Sequence, residues 1–163
     1  MKGGDRASVV RSHFEGMQWD WAIDIEGGAG HLVESCEFAR LLGAVRLTAT
    51  VGAQVRGNRC ATRWWGVHLV DAEATTVTGN AFDHALRAVD VEGGTGTEVS
   101  GNAASGGDSG CVLHAGATEC VVAGNHWERT RIGLLTWGAG TVRHQANSCI
   151  DLGDPEGAHV DGP

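Results

Sequence analysis

A Gly-Asn turn returns four times in this chain, as VRGNRC at 55–60, VTGNAF at 77–82, VSGNAA at 99–104 and VAGNHW at 122–127. Its asparagines, Asn58, Asn80, Asn102 and Asn125, are 22, 22 and 23 residues apart. A fixed period of this length marks a repeat architecture, because each unit is too short to enclose a core and must stack on its neighbours. The apolar positions keep step with the asparagines. Val55, Val77, Val99 and Val122 lie three residues before them, with Val33 and Val10 as upstream equivalents and Val142 downstream. Cys60, Phe82, Ala104 and Trp127 lie two residues after, preceded by Phe38 and Phe14. A second apolar pair recurs as Ile23/Ile25, Val45/Leu47, Val67/Leu69, Val89/Val91 and Cys111/Leu113, and the last copy, Leu134/Thr136, arrives one residue late.

Within each copy apolar and polar residues alternate, as in AIDIE, GVHLV and AVDVE, which is strand periodicity with one face buried. With 26 glycines and two prolines among 163 residues, the composition suits short strands joined by tight turns. Stacked copies then pair strand on strand in parallel at roughly 4.8 Å, which is a solenoid. A leucine-rich repeat shares the VxxNxF fragment. It needs leucine five residues before each asparagine, however, where this chain has Ala53, Thr75, Thr97 and Cys120.

The order VxGNxF, about five loop residues, then GVxL resembles the repeat of the pectate-lyase-like superfamily over roughly residues 9 to 150. That resemblance implies an all-β fold, a single-stranded right-handed parallel β-helix of about six to seven coils with a 22-residue period. The chain is then a single domain, residues 1–163, with a tail from about 151. In that family the asparagines stack into a ladder inside the turn, each bonding to backbone groups of adjacent coils. The glycine before each asparagine permits a left-handed turn. Ser12, Cys36 and Gln145 are expected to continue the same column at the ends.

A net charge of -8 argues against nucleic acid as a partner, because phosphate binding is built on an excess of Lys and Arg. No apolar run approaches the roughly 18 to 20 residues of a membrane span, and the first residues lack the apolar middle of a secretory signal. The five cysteines form no CxxC pair, and an odd count leaves at least one thiol unpaired within the chain. The expectation is a cytoplasmic protein in a reducing compartment, or an extracellular one if the sequence is a piece of something longer.

Stacking lets a column be read directly from the sequence. Between the paired apolar positions runs an outward row: Asp24, Arg46, His68, Asp90, Val112 and Leu135. Asp24 is expected to meet Arg46, and His68 to meet Asp90. One reading is a cross-coil charge ladder that keeps strand register. The other is a catalytic cluster of His68, Asp90, Arg46 and Asp24, with Asp90 orienting His68 and Arg46 binding or stabilising negative charge. The segment entering the same strand carries Trp19 and Trp21 in one coil, Trp64 and Trp65 two coils on, and Arg87 in the next. These residues, with His114 just after the strand, are the candidate substrate-binding groups. Flat aromatic faces beside charges suit a ring-shaped ligand, and the superfamily places its substrate groove on this strand and the preceding loop.

The chain has no tyrosine, so the Tyr-based chemistry of alginate-type epimerases and lyases has no donor here. The NTD, GHG and RIK blocks of polygalacturonase-like hydrolases are also missing. Asp83, His84, His126 and Glu128 lack metal-motif spacing, and neither metal nor cofactor is expected. Three functions stay open. The first is a carbohydrate-active or carbohydrate-binding protein, acting as a lyase or glycoside hydrolase if it is an enzyme. The second is a cofactor-independent cyclase or isomerase using a His-Asp pair, and the third is a structural solenoid. The partner is expected to be a small-molecule or saccharide ligand, with self-association through the solenoid ends or the tryptophan-bearing face.

Overall fold

The computed structural model describes residues 6–16 and 20–151, and the backbone of 159–162. Trp19 lies outside the described residues. Among those residues there is no helix, and every paired strand runs parallel to its neighbour about one repeat away, so the chain winds as a β-solenoid of about six turns. Among the described residues, no helix is long and apolar enough to cross a membrane.

One wall is a seven-stranded sheet from Ser8–Val10 to Val142–Gln145. Its inward row is Val9, Val33, Val55, Val77, Val99, Val122 and His144, each aligned with the next. Val9 therefore takes the place expected for Val10, which is exposed, and His144 takes that of Val142, which aligns with Cys120. Both outermost coils have lost the glycine, replaced by Arg11 and Ala146, and the last has lost the valine too, so the pattern alone misplaces their register.

The second sheet has twelve strands, and two of them, Glu37–Thr48 and Arg59–Val70, are twelve residues long. Other coils turn between the asparagine-side strand and the GVxL strand through a left-handed residue such as His84 (φ 57), Gly106 (φ 70) or Arg129 (φ 53). In the coil of Arg59–Val70 that corner stays extended, and Trp64 and Trp65 ride on the strand, not on a loop. In Glu37–Thr48 the corner survives as register shifts on either side of Leu41.

The interior follows the expected alternation. Phe14 and Phe38 stack at 5.1 Å, and Cys60, Phe82, Ala104 and Trp127 continue their column. Cys36, Cys60 and Cys111 are buried core thiols, and all five cysteines are free. Burial pushes the Cys60 and Cys111 thiols far up, so they are inert as nucleophiles.

The asparagine ladder fills the turn. The Asn80 Oδ1 accepts from the Asn58 backbone N–H and side-chain amide, both at 2.9 Å, while its Nδ2 donates to Val55 O and Asn102 Oδ1. Asn102 and Asn125 repeat the pattern, and Gly57, Gly79, Gly101 and Gly124 all have φ of 62 or 63. Cys36 takes the column's place at the near end, its N–H donating to Asn58 Oδ1. At the far end the ladder continues through Asn147, not Gln145, because the lap from Asn125 is again 22 residues. Beyond it, the strand His159–Gly162 pairs in parallel with Ile132–Trp137, so part of the tail adds to the solenoid wall.

Candidate functional site

Six strand segments form one face: Trp21–Glu26, the second halves of Glu37–Thr48 and Arg59–Val70, then Arg87–Glu92, Ser109–His114 and Ile132–Trp137. Their register aligns Asp24, Arg46, His68, Asp90, Val112 and Leu135 as one row. A parallel row aligns Trp21, Gly43, Trp65, Arg87 and Ser109. Side chains of the two rows interlock across the sheet.

Asp24 and Arg46 meet as expected, with Arg46 Nε donating to Asp24 Oδ1 at 2.9 Å and Nη2 donating to Oδ2. This pair of hydrogen bonds, with the guanidinium charge, holds the Asp24 carboxyl below its ordinary range against the opposing push of burial. The Arg46 guanidinium lies over the Trp21 ring, 5.6 Å from its centroid. Trp21 and Trp65 belong to coils two laps apart, yet their rings stack at 5.3 Å. Gly43 lies between them, and a Cβ there would come 2.4 Å from Trp21 Cζ3. The missing side chain lets the Trp21 ring lie across the intervening strand.

His68 is packed against both indoles, 5.6 Å from each centroid, and its side chain is only 13% exposed. Neither of its buried ring nitrogens has a hydrogen-bond partner among the described residues. The expected His68–Asp90 hydrogen bond is therefore absent, although the two residues are directly opposite in register. Asp90, 0% exposed, is bound diagonally instead. Its Oδ2 accepts from Trp65 Nε1 at 3.0 Å and from Arg87 Nη1 at 2.7 Å, and its Oδ1 lies 2.7 Å from His114 Nε2. Trp65 and His114 reach Asp90 across the diagonal from the two neighbouring strands, and Arg87 reaches it from three residues earlier on its own strand.

The tautomer of His114 follows from its surroundings. Arg87 Nη1 also approaches Nε2, at 3.4 Å, but a guanidinium only donates and a carboxylate only accepts. The shorter contact decides: Nε2–H donates to Asp90, which in the neutral ring places the lone pair on Nδ1. Nδ1 has no hydrogen-bond partner among the described residues. The imidazole stacks on Trp137, its register partner, at 6.5 Å with planes 16° apart. Trp137 is 49% exposed and, with Glu92, His114 and Ala115, lines an open cleft of about 460 Å³. Another cleft, about 480 Å³ among Arg40, Leu42, Thr62, Arg63 and His84, shares no residue with this network.

Of the expected site residues, Asp24, Arg46, Trp21, Trp65, His68, Asp90, Arg87 and His114 thus form one contiguous chain of contacts. Trp64 stands at its rim, its ring 5.6 Å from that of Trp65 and 40% exposed. The sequence reading left out Gly43, whose place between Trp21 and Trp65 at 22-residue spacing was a usable signal. It also left out Glu92, which carried no signal beyond its position two residues after Asp90.

This geometry defines a parallel β-solenoid protein with a polar and aromatic row across one sheet. A family model described as a right handed beta helix region matches residues 1–149, and the chain belongs to that family. Among solved structures it is similar to an alginate lyase from Paenibacillus sp. str. FPU-7, at 10% sequence identity and a TM-score of 0.56. The match covers 94% of this chain and 78% of that one, and the likeness is one of fold. No curated protein matches the sequence.

Proposed function

We propose that this chain is a carbohydrate-active β-helix protein in which His114, oriented by Asp90, moves a proton on a saccharide seated against Trp137. The observation that carries the reading is the 2.7 Å contact between buried Asp90 and Nε2 of His114, a residue that lines an open cleft. A carboxylate in that position fixes the imidazole's tautomer and stabilises the imidazolium formed when Nδ1 takes a proton.

The other groups have supporting roles. The half-exposed Trp137 indole offers a flat apolar face on which a sugar ring can stack. Arg87 is partly exposed and offers positive charge where negative charge develops on the substrate. With no tyrosine in the chain, His114 takes the proton-transfer role that a tyrosine could otherwise fill. Asp24, Arg46 and Trp21 act as positioning groups, since their contacts hold the aromatic pair that packs on His68 and bonds Asp90. The similar fold of a protein described as an alginate lyase makes acidic oligosaccharides the first substrates to try.

The test is a panel of acidic and neutral oligosaccharides, alginate oligomers included, assayed for new reducing ends and for the ultraviolet absorbance of unsaturated sugars. Wild type should turn over at least one member, and His114→Ala should lose about 10²-fold to 10⁴-fold in rate while still binding. Trp137→Ala should raise KM. Undiminished turnover in His114→Ala, or no saccharide binding at all, overturns the reading.

A further inference from the structure

We propose that His68, Glu92 and Asp90 form a binding site for a divalent transition metal ion of the zinc class. The inference does not rest on the saccharide reading. It starts from an anomaly, the imidazole of His68, both of whose nitrogens are buried with no hydrogen bond. A buried nitrogen left without a partner is destabilising by about 1–3 kcal/mol in general, so a nearly buried histidine in this state calls for an occupant. Two indoles clamp the ring from the side, which fixes the direction in which its nitrogens can bind.

Two carboxylates lie where that occupant would sit. One ligand atom each from His68, Asp90 and Glu92 lie within 4.8 Å of one another. His68 Nε2 is 3.4 Å from Glu92 Oε1. Two ligand atoms each about 2.1 Å from a zinc ion, at a tetrahedral angle, are separated by about 3.4 Å. The pair is therefore spaced as ligands of one ion, and too poorly aligned to be a hydrogen bond.

Asp90 can complete the set. A carboxylate has about four lone-pair positions, and Trp65, Arg87 and His114 occupy three of them. Arg87 balances one carboxylate charge, so with neutral His68 the site keeps a net negative charge from Glu92. The side chain of Glu92 is 47% exposed, which gives an ion a path from solvent. One imidazole with two carboxylates suits zinc or manganese, whereas calcium wants six to eight oxygen ligands.

The experiment is calorimetric titration of the full chain with Zn²⁺, Mn²⁺ and Ca²⁺, repeated on Glu92→Gln and His68→Gln. A cobalt titration read in the visible spectrum reports ligand geometry. Wild type should bind one transition ion per chain and Ca²⁺ at least about 100-fold more weakly, and Glu92→Gln should weaken the transition ion by about tenfold or more. Because Glu92 is exposed, its variant keeps the test valid if His68→Gln fails to fold. An affinity unchanged in Glu92→Gln places the ion on other groups and overturns the proposal, as does the absence of binding below millimolar concentration. Either failure leaves the His114 assay unaffected, so the two readings fall separately.

Discussion

The Asn102 side chain makes four hydrogen bonds, accepting from the Asn80 N–H and amide and donating to Val77 O and Asn125 Oδ1. Asn102→Ala strands polar groups in two other coils, so unfolding should become easier by about 3 kcal/mol or more. In a thermal melt that is a fall in Tm of roughly 10 °C. A drop within the range of an ordinary surface substitution would deny the ladder its structural role. Asp24 provides a test by pH. Its folded pKa lies below its unfolded value, so its contribution is complete above about pH 4–5 and is lost as pH falls through the folded pKa. Both partners are about two-fifths exposed, and screening limits the pair to below about 1 kcal/mol. Melts of wild type and Asp24→Asn should therefore differ slightly at neutral pH and converge as the pH falls through the folded pKa; a constant gap would mean that the pair does not titrate as described.

Among the strands, the neighbours one lap apart were legible and the diagonal ones were not. The period placed Asp24 beside Arg46 and His68 beside Asp90, and the register agrees at every step. What spacing could not supply is reach. Asp90 is met by Trp65 and His114, 25 and 24 residues away, because an indole or an imidazole spans the diagonal while His68 turns toward the two indoles. The unbroken strand Arg59–Val70 was also hidden, since nothing in RCATRWWGV marks a corner that stays extended. Gly43 ties these levels together. Gly43→Ala would thrust a methyl group into Trp21, so the Trp21–Trp65 stack should open. The expected result is loss of the near-ultraviolet circular dichroism from coupled indoles with the far-ultraviolet spectrum unchanged; a retained signal would show that the stack does not depend on the bare backbone.

Across the whole molecule, the solenoid works as an alignment device. It brings single residues from successive coils into one contact chain, from the Asp24–Arg46 pair through the indoles to Asp90, His114 and Trp137. The fold and the one-lap neighbours were readable from the repeat because stacking converts sequence distance into spatial adjacency. Which imidazole the buried carboxylate holds, and with it the base we propose, was not, because that depends on diagonal reach across the sheet. Nitrogen-detected NMR of the histidine rings, with and without an oligosaccharide, tests that assignment most directly. We predict that the proton of the neutral His114 ring sits on Nε2, and that the Nδ1 resonance shifts when the saccharide binds. A proton on Nδ1 of the neutral ring, or a saccharide-induced shift at His68 with none at His114, would contradict the account.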